Sequence, residues 1–452
     1  IYFYKSKIFK LYIFITKIYN IYMDICSIIL SAGKGNRMQS NIPKPLHTIS
    51  GKTMLQWVID ANIAAKIKKY VIVIPKDNKE IEEVTKGLET VVQLFPLGTG
   101  DAVIQAKKKL KDFNGIIIIC FADTPFISPE TLKKLTQAIK NGSKIAISGF
   151  KKSEKNNYGK IVFSKSNQPS EIIEEKDAQI RKIKSEYCNG GIIAINSEIL
   201  NYLDKIKSNK LTKEIYLTEI VKLAFLNKEK IDFIEINENE ILGINNQIEL
   251  SKAEKISQDT LRNKAMINGV KLIAPETVFF NFDTKIGKDV IIHPNVIFGK
   301  NVNIEKSVEI LSFSHIEDSV IKEGSVIGPF ARLRGKAIIG PMSRIGNFVE
   351  IKNSKLKEQV KINHLSYVGD SEIGKSTNIG AGTITCNYDG KQKNKTKIGS
   401  NSFIGSNSSL IAPIKIGDNV TLAAGSVFNK NVPSNSLSIG RAHQVIKKIK
   451  KN

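Results

Sequence analysis

Ile398-Gly399-Ser400-Asn401-Ser402-Phe403-Ile404-Gly405-Ser406-Asn407-Ser408-Ser409-Leu410 writes one six-residue pattern twice. An aliphatic residue recurs every sixth position, glycine often follows it, and a small residue stands two places before the next aliphatic one. The same phase continues through Ile416, Leu422 and Phe428. Upstream it includes Ile286, Ile292, Phe298, Ile304, Ile310 and Ile316, then Leu333, Ile339, Ile345 and Ile351. Six residues turn an α-helix through about 600°, so this stripe would wander around a helix and form no face. In an extended chain alternate residues share a face, so the aliphatic residue and the small one two before it both point inward. Glycines such as Gly399, Gly405 and Gly417 permit the bends between short flat faces. The pattern therefore predicts a parallel β-helix, with equivalent aliphatic residues stacked coil upon coil. The phase breaks at 317–327, 352–372 and 380–397, and those stretches are where chemistry is expected.

With 452 residues, the chain has room for two or more domains with substantial cores. A formal net charge of +25 raises the question of nucleic acid. The lysines, however, are scattered among Glu and Asp as a solvated surface, so no nucleic-acid partner is expected, although basic faces help attract phosphorylated substrates. Cys26, Cys120, Cys188 and Cys386 have neither paired nor metal-ligand spacing, which fits free thiols in a reducing cytoplasm. In residues 1–22, Lys5, Lys7, Lys10 and Lys17 interrupt every apolar run, so no integral membrane segment is expected. Met23 immediately precedes a clean strand pattern, and 1–22 reads as a dispensable, non-native extension, with a weak membrane-surface anchor as the alternative.

From 23 to 245, strand-like runs at 25–30, 70–74, 91–94, 115–120 and 144–149 alternate with helical patterns such as 52–65 and 129–140. That alternation predicts an α/β domain with a mostly parallel sheet, whose ligands sit beyond the carboxyl ends of the strands. After the first strand comes Leu30-Ser31-Ala32-Gly33-Lys34-Gly35-Asn36-Arg37-Met38, followed by Pro43-Lys44-Pro45. The glycines let backbone N–H groups approach a phosphate, and Arg37 and Lys44 bring positive charge. The Gly-Lys-Ser/Thr ending of a Walker loop is missing. Asp123 closes another apolar run; its carboxylate is a hard oxygen ligand suited to Mg²⁺, or alternatively a helix cap. Residues 246–266 carry Ile248, Ala253, Ile256, Leu261 and Ala265 near helical spacing, which predicts a helical arm before a β-helix domain at 267–452.

The glycine loop resembles the signature of sugar-nucleotide pyrophosphorylases. Pro43-Lys44-Pro45-Leu46-His47, Gln93 before Leu97-Gly98-Thr99-Gly100, Asp123, Tyr158-Gly159, Glu174, Asn189-Gly190-Gly191 and Gly243-Ile244-Asn245-Asn246 follow in that family's order. In the C-terminal half, Arg332-Leu333-Arg334, Asn347 to Lys352, Asn363 to Gly369 and Asn378 to Gly390 match an acetyltransferase. Together they resemble the bifunctional N-acetylglucosamine-1-phosphate uridyltransferase/glucosamine-1-phosphate acetyltransferase family, from Met23 to about Gln444.

The resemblance implies a Rossmann-like nucleotidyltransferase domain at 23–245, a helical linker and a left-handed β-helix. The implied product is UDP-N-acetylglucosamine, a precursor of bacterial cell-wall polymers, made from glucosamine-1-phosphate, acetyl-CoA and UTP with Mg²⁺. It places Leu30, Gly33, Lys44, Gln93, Gly98, Thr99, Gly159, Glu174, Asn189 and Asn245 around UTP and the sugar, with Arg37 and Lys44 catalytic. Asp123 and Asn245 would share the metal. His364 would be the general base of acetyl transfer, since a neutral imidazole takes a proton from an attacking amine near pH 7. Glu350 is expected to polarise His364, with a solvated carboxylate as the alternative. Of His47, His293, His315 and His443, none is expected in a comparable polar setting. Arg334, Lys352, Tyr367 and Asn378 would bind the acetyl acceptor, Asn387 and Tyr388 the acceptor or the coenzyme, and Ala381, Ser406, Ala424 and Arg441 the acetyl-CoA channel. A cytoplasmic homotrimer with acetyl sites between subunits is also implied.

Two residues depart from the family pattern: Phe121-Ala122 stand where Tyr-Gly is usual, and Asn36 where Thr is usual. The extra methyl of Ala122 is expected to crowd the nucleotide or sugar. One rival reading is a hexapeptide-tailed nucleotidyltransferase for glucose-1-phosphate that lacks acetyl transfer. Another is a non-catalytic β-helical scaffold.

Overall fold

The structure is a computed structural model that describes residues 23–151, 158–181, 183, 185–209 and 213–448. The expectation for residues 1–22 lies outside them. In the first half, isoleucine-rich strands are buried on both faces, the mark of a sheet covered by helices on each side. Along its main path the sheet runs Ile231–Glu235, Ile145–Lys151, Tyr187–Asn196, Gly115–Phe121, Asp24–Leu30, Lys69–Pro75 and Thr90–Gln93. Tyr187–Asn196 is antiparallel to both its neighbours, and the other pairings on this path are parallel. The predicted helices appear as Met54–Ala64 and Pro129–Lys140. Each starts where a hydroxyl accepts from a backbone N–H of its first turn: Thr53 from Gln56 at 3.2 Å and Ser128 from Thr131 at 3.1 Å.

Residues Gln247–Ile267 form a single helix. The chain divides into two compact units, one ending at Ala253 and the other starting at Glu254, so the division falls within this helix. Ala253 packs with Ile49, Met54 and Ile244. Leu261 and Ala265 pack on the β-helix core, and the Gln258 side chain bonds both the N–H and the C=O of Phe280.

The second unit is a left-handed parallel β-helix built, among the described residues, from parallel sheets of ten, eight and eight strands. On the first face Leu272, Ile292, Ile310, Ile327, Ile345, Ile362, Ile379, Ile404 and Leu422 stack. The second face stacks Phe298, Ile316, Leu333, Ile351, Val368, Thr385, Leu410 and Phe428, and the third runs from Ile286 through Ile339 to Ile416. The stack passes unbroken through the stretches where the sequence loses phase, at Ile321, Ile327, Leu356, Ile362, Val368, Ile373 and Ile379. Past the first coil, where Leu272 to Phe280 takes eight residues between the first two faces, every length change sits at the turn from the second face to the third. From Ile316 to Ile321, Ile351 to Leu356 and Val368 to Ile373 the step is five residues instead of six, and from Thr385 to Ile398 it is thirteen. Thr385 is the one polar member of its stack, and its hydroxyl accepts from Gly369 N–H at 2.8 Å.

Candidate active sites

The strands Asp24–Leu30, Thr90–Gln93 and Gly115–Phe121 end at a cleft of about 580 Å³. Leu30, Gly33, Arg37, Lys44, Gln93, Gly98, Thr99 and Asp123 all line it. Asn245 reaches the same cluster from a distant loop. Its Oδ1 accepts from Lys44 Nζ at 2.7 Å and from an Arg37 guanidinium nitrogen at 2.9 Å, and Lys44 also pairs with the Asp123 carboxylate. Glu249 steadies Asn245 by accepting from its backbone N–H at 2.6 Å. Gly35 makes this possible: it sits at φ 63°, and a Cβ there would meet Lys44 Cβ at 2.7 Å.

Gln93 is buried, and its amide NH₂ donates to Asp101 at 2.7 Å and to Gly98 C=O at 3.1 Å. That leaves its carbonyl oxygen to accept from an N–H on a base edge. Gly98 lies at φ 106°, with Ile215 C=O 2.6 Å from where a Cβ would stand, so only glycine fits. Asp101 and Tyr216, which lines the cleft, escaped the sequence reading. Asp101 could have been found as the acidic residue of the first turn of helix Thr99–Lys107, within reach of Gln93.

Gly159, Glu174 and Asn189 gather beside one another but are not among the residues lining that cleft. Asn189 N–H donates to Gly159 C=O at 2.8 Å, and Glu174 accepts from the Thr218 hydroxyl at 3.0 Å. Burial, above all, pushes the Glu174 carboxyl above its ordinary range, against the Thr218 hydrogen bond. Ala122 is 1% exposed, and its side chain belongs to the core with Ile29, Ile118 and Cys120. Ala122 also lines the cleft, between Phe121 and Asp123.

In the β-helix, His364 lies at the turn from the first face to the second, at the edge of a groove of about 520 Å³. Its Nδ1 hydrogen-bonds Asn347 Oδ1 at 2.6 Å. An amide oxygen only accepts, so Nδ1 carries a proton, and the neutral form of the ring then has its lone pair on Nε2. The Glu350 carboxylate accepts from Arg334 Nε at 2.6 Å. His293 departs from expectation, pairing with Glu309 at 2.9 Å. Asn347 stands one coil before His364 in register, a partnership that its sequence motif alone does not reveal. The same turn in earlier coils carries exposed Phe313, Phe330 and Phe348, whose rings stack at 4.9 and 5.1 Å, followed by Leu365. All four hold left-handed backbone, which costs such residues about 1–2 kcal/mol each. Later coils place Ala381, Ser406 and Ala424 at this turn, linked by Asn407 N–H to Ala381 C=O and Gly425 N–H to Ser406 C=O, and Arg441 donates to Ala424 C=O at 2.8 Å.

Arg334, Lys352 and Tyr367 stand on the second face. Asn378 is on the first, in register with Lys361 and Phe403. Lys352 approaches Asp370 at 3.7 Å, and Asp370 is held by the side-chain amides of Asn353 and Asn387. Burial raises the Asp370 carboxyl, but those two amides and the Lys352 ammonium outweigh it and hold it below its ordinary range. Asp370 and Asn353 went unnoticed in sequence because a polar residue at a left-handed turn reads as a turn former. Tyr388 is exposed and donates its hydroxyl to Gly390 C=O at 2.7 Å, while Asp389 accepts from the N–H groups of Lys391 and Gln392.

Taken together, the glycine-loop cleft and the hexapeptide prism define a nucleotidyltransferase joined to an acyltransferase. Residues 27–183 match the MobA-like NTP transferase domain, and residues 395–430 match the bacterial transferase hexapeptide of six repeats. Curated relatives called bifunctional protein GlmU cover nearly the whole chain. The one from Zymomonas mobilis is 43% identical over 92% of this chain and 94% of its own. Those from Wolbachia pipientis and Clostridium botulinum are 41% and 38% identical, over 94% and 93% of this chain and 98% and 97% of theirs. The chain belongs to the GlmU family, bifunctional enzymes that make UDP-N-acetylglucosamine by acetyl transfer and uridylyl transfer.

Proposed function

We propose that residues 267–452 move the acetyl group of acetyl-CoA to glucosamine-1-phosphate. Residues 23–245 then transfer uridylyl from UTP to the resulting N-acetylglucosamine-1-phosphate, releasing pyrophosphate, and 246–266 is the linker. What carries the reading is the meeting of Arg37, Lys44, Asp123 and Asn245 in one cleft. The two cations concentrate positive charge where the departing pyrophosphate becomes more negative. Gln93, its amide oriented by Asp101, accepts from the uracil N–H. Asp123 and Asn245 fit a magnesium ion, since their oxygens already share one cation, the Lys44 ammonium. Among the described residues no three His, Cys, Asp or Glu side chains form a metal cage. A two-oxygen site suits an ion that keeps much of its own water and is completed by phosphate. When bound, the ion supplies charge neutralisation on the phosphate oxygens.

At the other site the acceptor amine attacks the thioester carbon, His364 Nε2 takes the amine proton, and the C–S bond breaks as that proton passes on to the sulfur, so that coenzyme A leaves as the thiol. Asn347 keeps the ring in the tautomer that can do this. Arg334, Lys352, Tyr367, Asn378 and Asn387 hold the amino-sugar phosphate. Ala381, Ser406, Ala424, Arg441 and Tyr388 border the coenzyme. The working assembly is a cytoplasmic homotrimer. Its support is the exposed Phe313–Phe330–Phe348–Leu365 ladder beside the His364 groove, an apolar surface suited to cover by another copy, together with four cysteines not joined in disulfides. Among the described residues no helix is long and apolar enough to cross a membrane.

The test is a coupled assay with glucosamine-1-phosphate, acetyl-CoA, UTP and Mg²⁺, following thiol release and UDP-N-acetylglucosamine. Both signals should require every component. Thiol release that ignores glucosamine-1-phosphate would refute the acetyl half, and equal turnover of glucose-1-phosphate would favour the rival nucleotidyltransferase.

A further inference from the structure

We infer that Asp370 is a positioning residue of the acetyl-acceptor site: its buried carboxylate ties three successive coils together and holds Lys352 and Asn387 where the acceptor phosphate binds. The inference rests on the assignment of Lys352 and Asn387 to that phosphate. Asn353, Asp370 and Asn387 stand one coil apart at the turn from the second face to the third. Asp370 Oδ1 accepts from Asn353 Nδ2 at 2.5 Å, Oδ2 accepts from Asn387 Nδ2, and Lys352 Nζ lies 3.7 Å away. The Asp370 side chain is only 7% exposed.

A bare carboxylate beside a phosphate would repel it. Here both oxygens are engaged from inside the turn, so the charge serves the side chains that face the ligand. Gly369 narrows the geometry further: a Cβ there would lie 2.5 Å from the Tyr367 hydroxyl and 2.8 Å from Asn387 Nδ2. Tyr367 and Asn387 therefore converge on one spot, and Asp370 decides where the Asn387 amide points. An ordinary staple at this same turn offers the contrast. Asn301 donates to Asp318 Oδ1 at 3.0 Å in an earlier coil, but that pair is exposed.

The experiment compares Asp370→Asn with Asp318→Asn in the full-length enzyme, measuring KM for each acetyl-transfer substrate, kcat, thermal unfolding and uridylyl transfer. Asp370→Asn should raise KM for glucosamine-1-phosphate about tenfold, the scale of losing a charged buried hydrogen-bond partner. KM for acetyl-CoA and uridylyl transfer should hold, and Asp318→Asn should change neither. In a Lys352→Met/Asn387→Ala background the added effect should vanish, since Asp370 acts through those residues. Were Asp370→Asn not to fold, Asn353→Ala would loosen the same carboxylate from outside the site and should raise acceptor KM about threefold. An unchanged acceptor KM in Asp370→Asn, or an equal rise in the double-variant background, would overturn the positioning role alone. If Lys352→Met and Asn387→Ala leave acceptor KM unchanged, the phosphate assignment fails and takes the inference with it.

Discussion

The two sites of this chain are assembled in opposite ways. In the α/β unit, Lys44 meets Asp123 across 79 positions and Asn245 across 201, so the cluster exists only because distant loops converge at one end of a sheet. In the β-helix, His364 meets Asn347 across 17 positions, and Asp370 meets Asn353 and Asn387 across 17 each, so the site is a local register repeated coil by coil. A convergent site depends on the whole domain, whereas a stacked site depends on its neighbouring coils. Damage to one should leave the other working.

The largest expected break is His364→Ala. Acetyl transfer should fall by about 10²–10⁴-fold, the usual contribution of a positioned general base. Uridylyl transfer from supplied N-acetylglucosamine-1-phosphate should survive. Wild-type acetylation across pH 6 to 9 would show that another group or water takes the proton. The mirror variant, Asp123→Ala, should cut uridylyl transfer by about 10²-fold or more and spare acetylation, because it removes the carboxylate that partners Lys44. Uridylyl transfer near wild type would refute the part assigned to Asp123.

A pH measurement sharpens the contrast. The folded-state pKa of Glu174 is raised mainly by burial, so its contribution to stability is full below the ordinary glutamate range and is lost as pH rises through the raised value. Glu174→Gln should therefore flatten the stability profile of the α/β unit in that window. Chemical denaturation read at several pH values should show the wild type losing stability relative to Glu174→Gln as pH rises. A constant difference would dismiss the effect. Smallest of all is Ala122→Gly. Removing a buried methyl and adding backbone freedom should cost about 1 kcal/mol of stability while leaving the uridylyl rate nearly unchanged. A clear fall in rate would show that the methyl shapes the cleft.

The β-helix was legible because a period of six is incompatible with a helical face. What stayed hidden was where its irregularities lie: a step of five from Ile316 to Ile321 ends a six-residue phase in the sequence while leaving the stack intact. Individual site residues such as Lys44, Asp123 and His364 were legible as charges and bases in motifs. Their partners were less so. Nothing local says that Asn245 will reach Lys44, that Asn347 rather than Glu350 will hold His364, or that Glu350 will be taken by Arg334. Pairings of this kind depend on which side chains face one another across a fold.

The turn between the second and third faces has a consequence for how such a protein can change over generations. Past the first coil, departures from the six-residue step fall on this one edge, from single missing residues to the long excursion after Thr385, while the stacked aliphatic layers keep their order. The same edge carries Lys352, Asp370 and Asn387. Loop length, and with it the shape offered to a sugar phosphate, can drift there without refolding the prism, so the scaffold separates the part that must be inherited intact from the part open to variation.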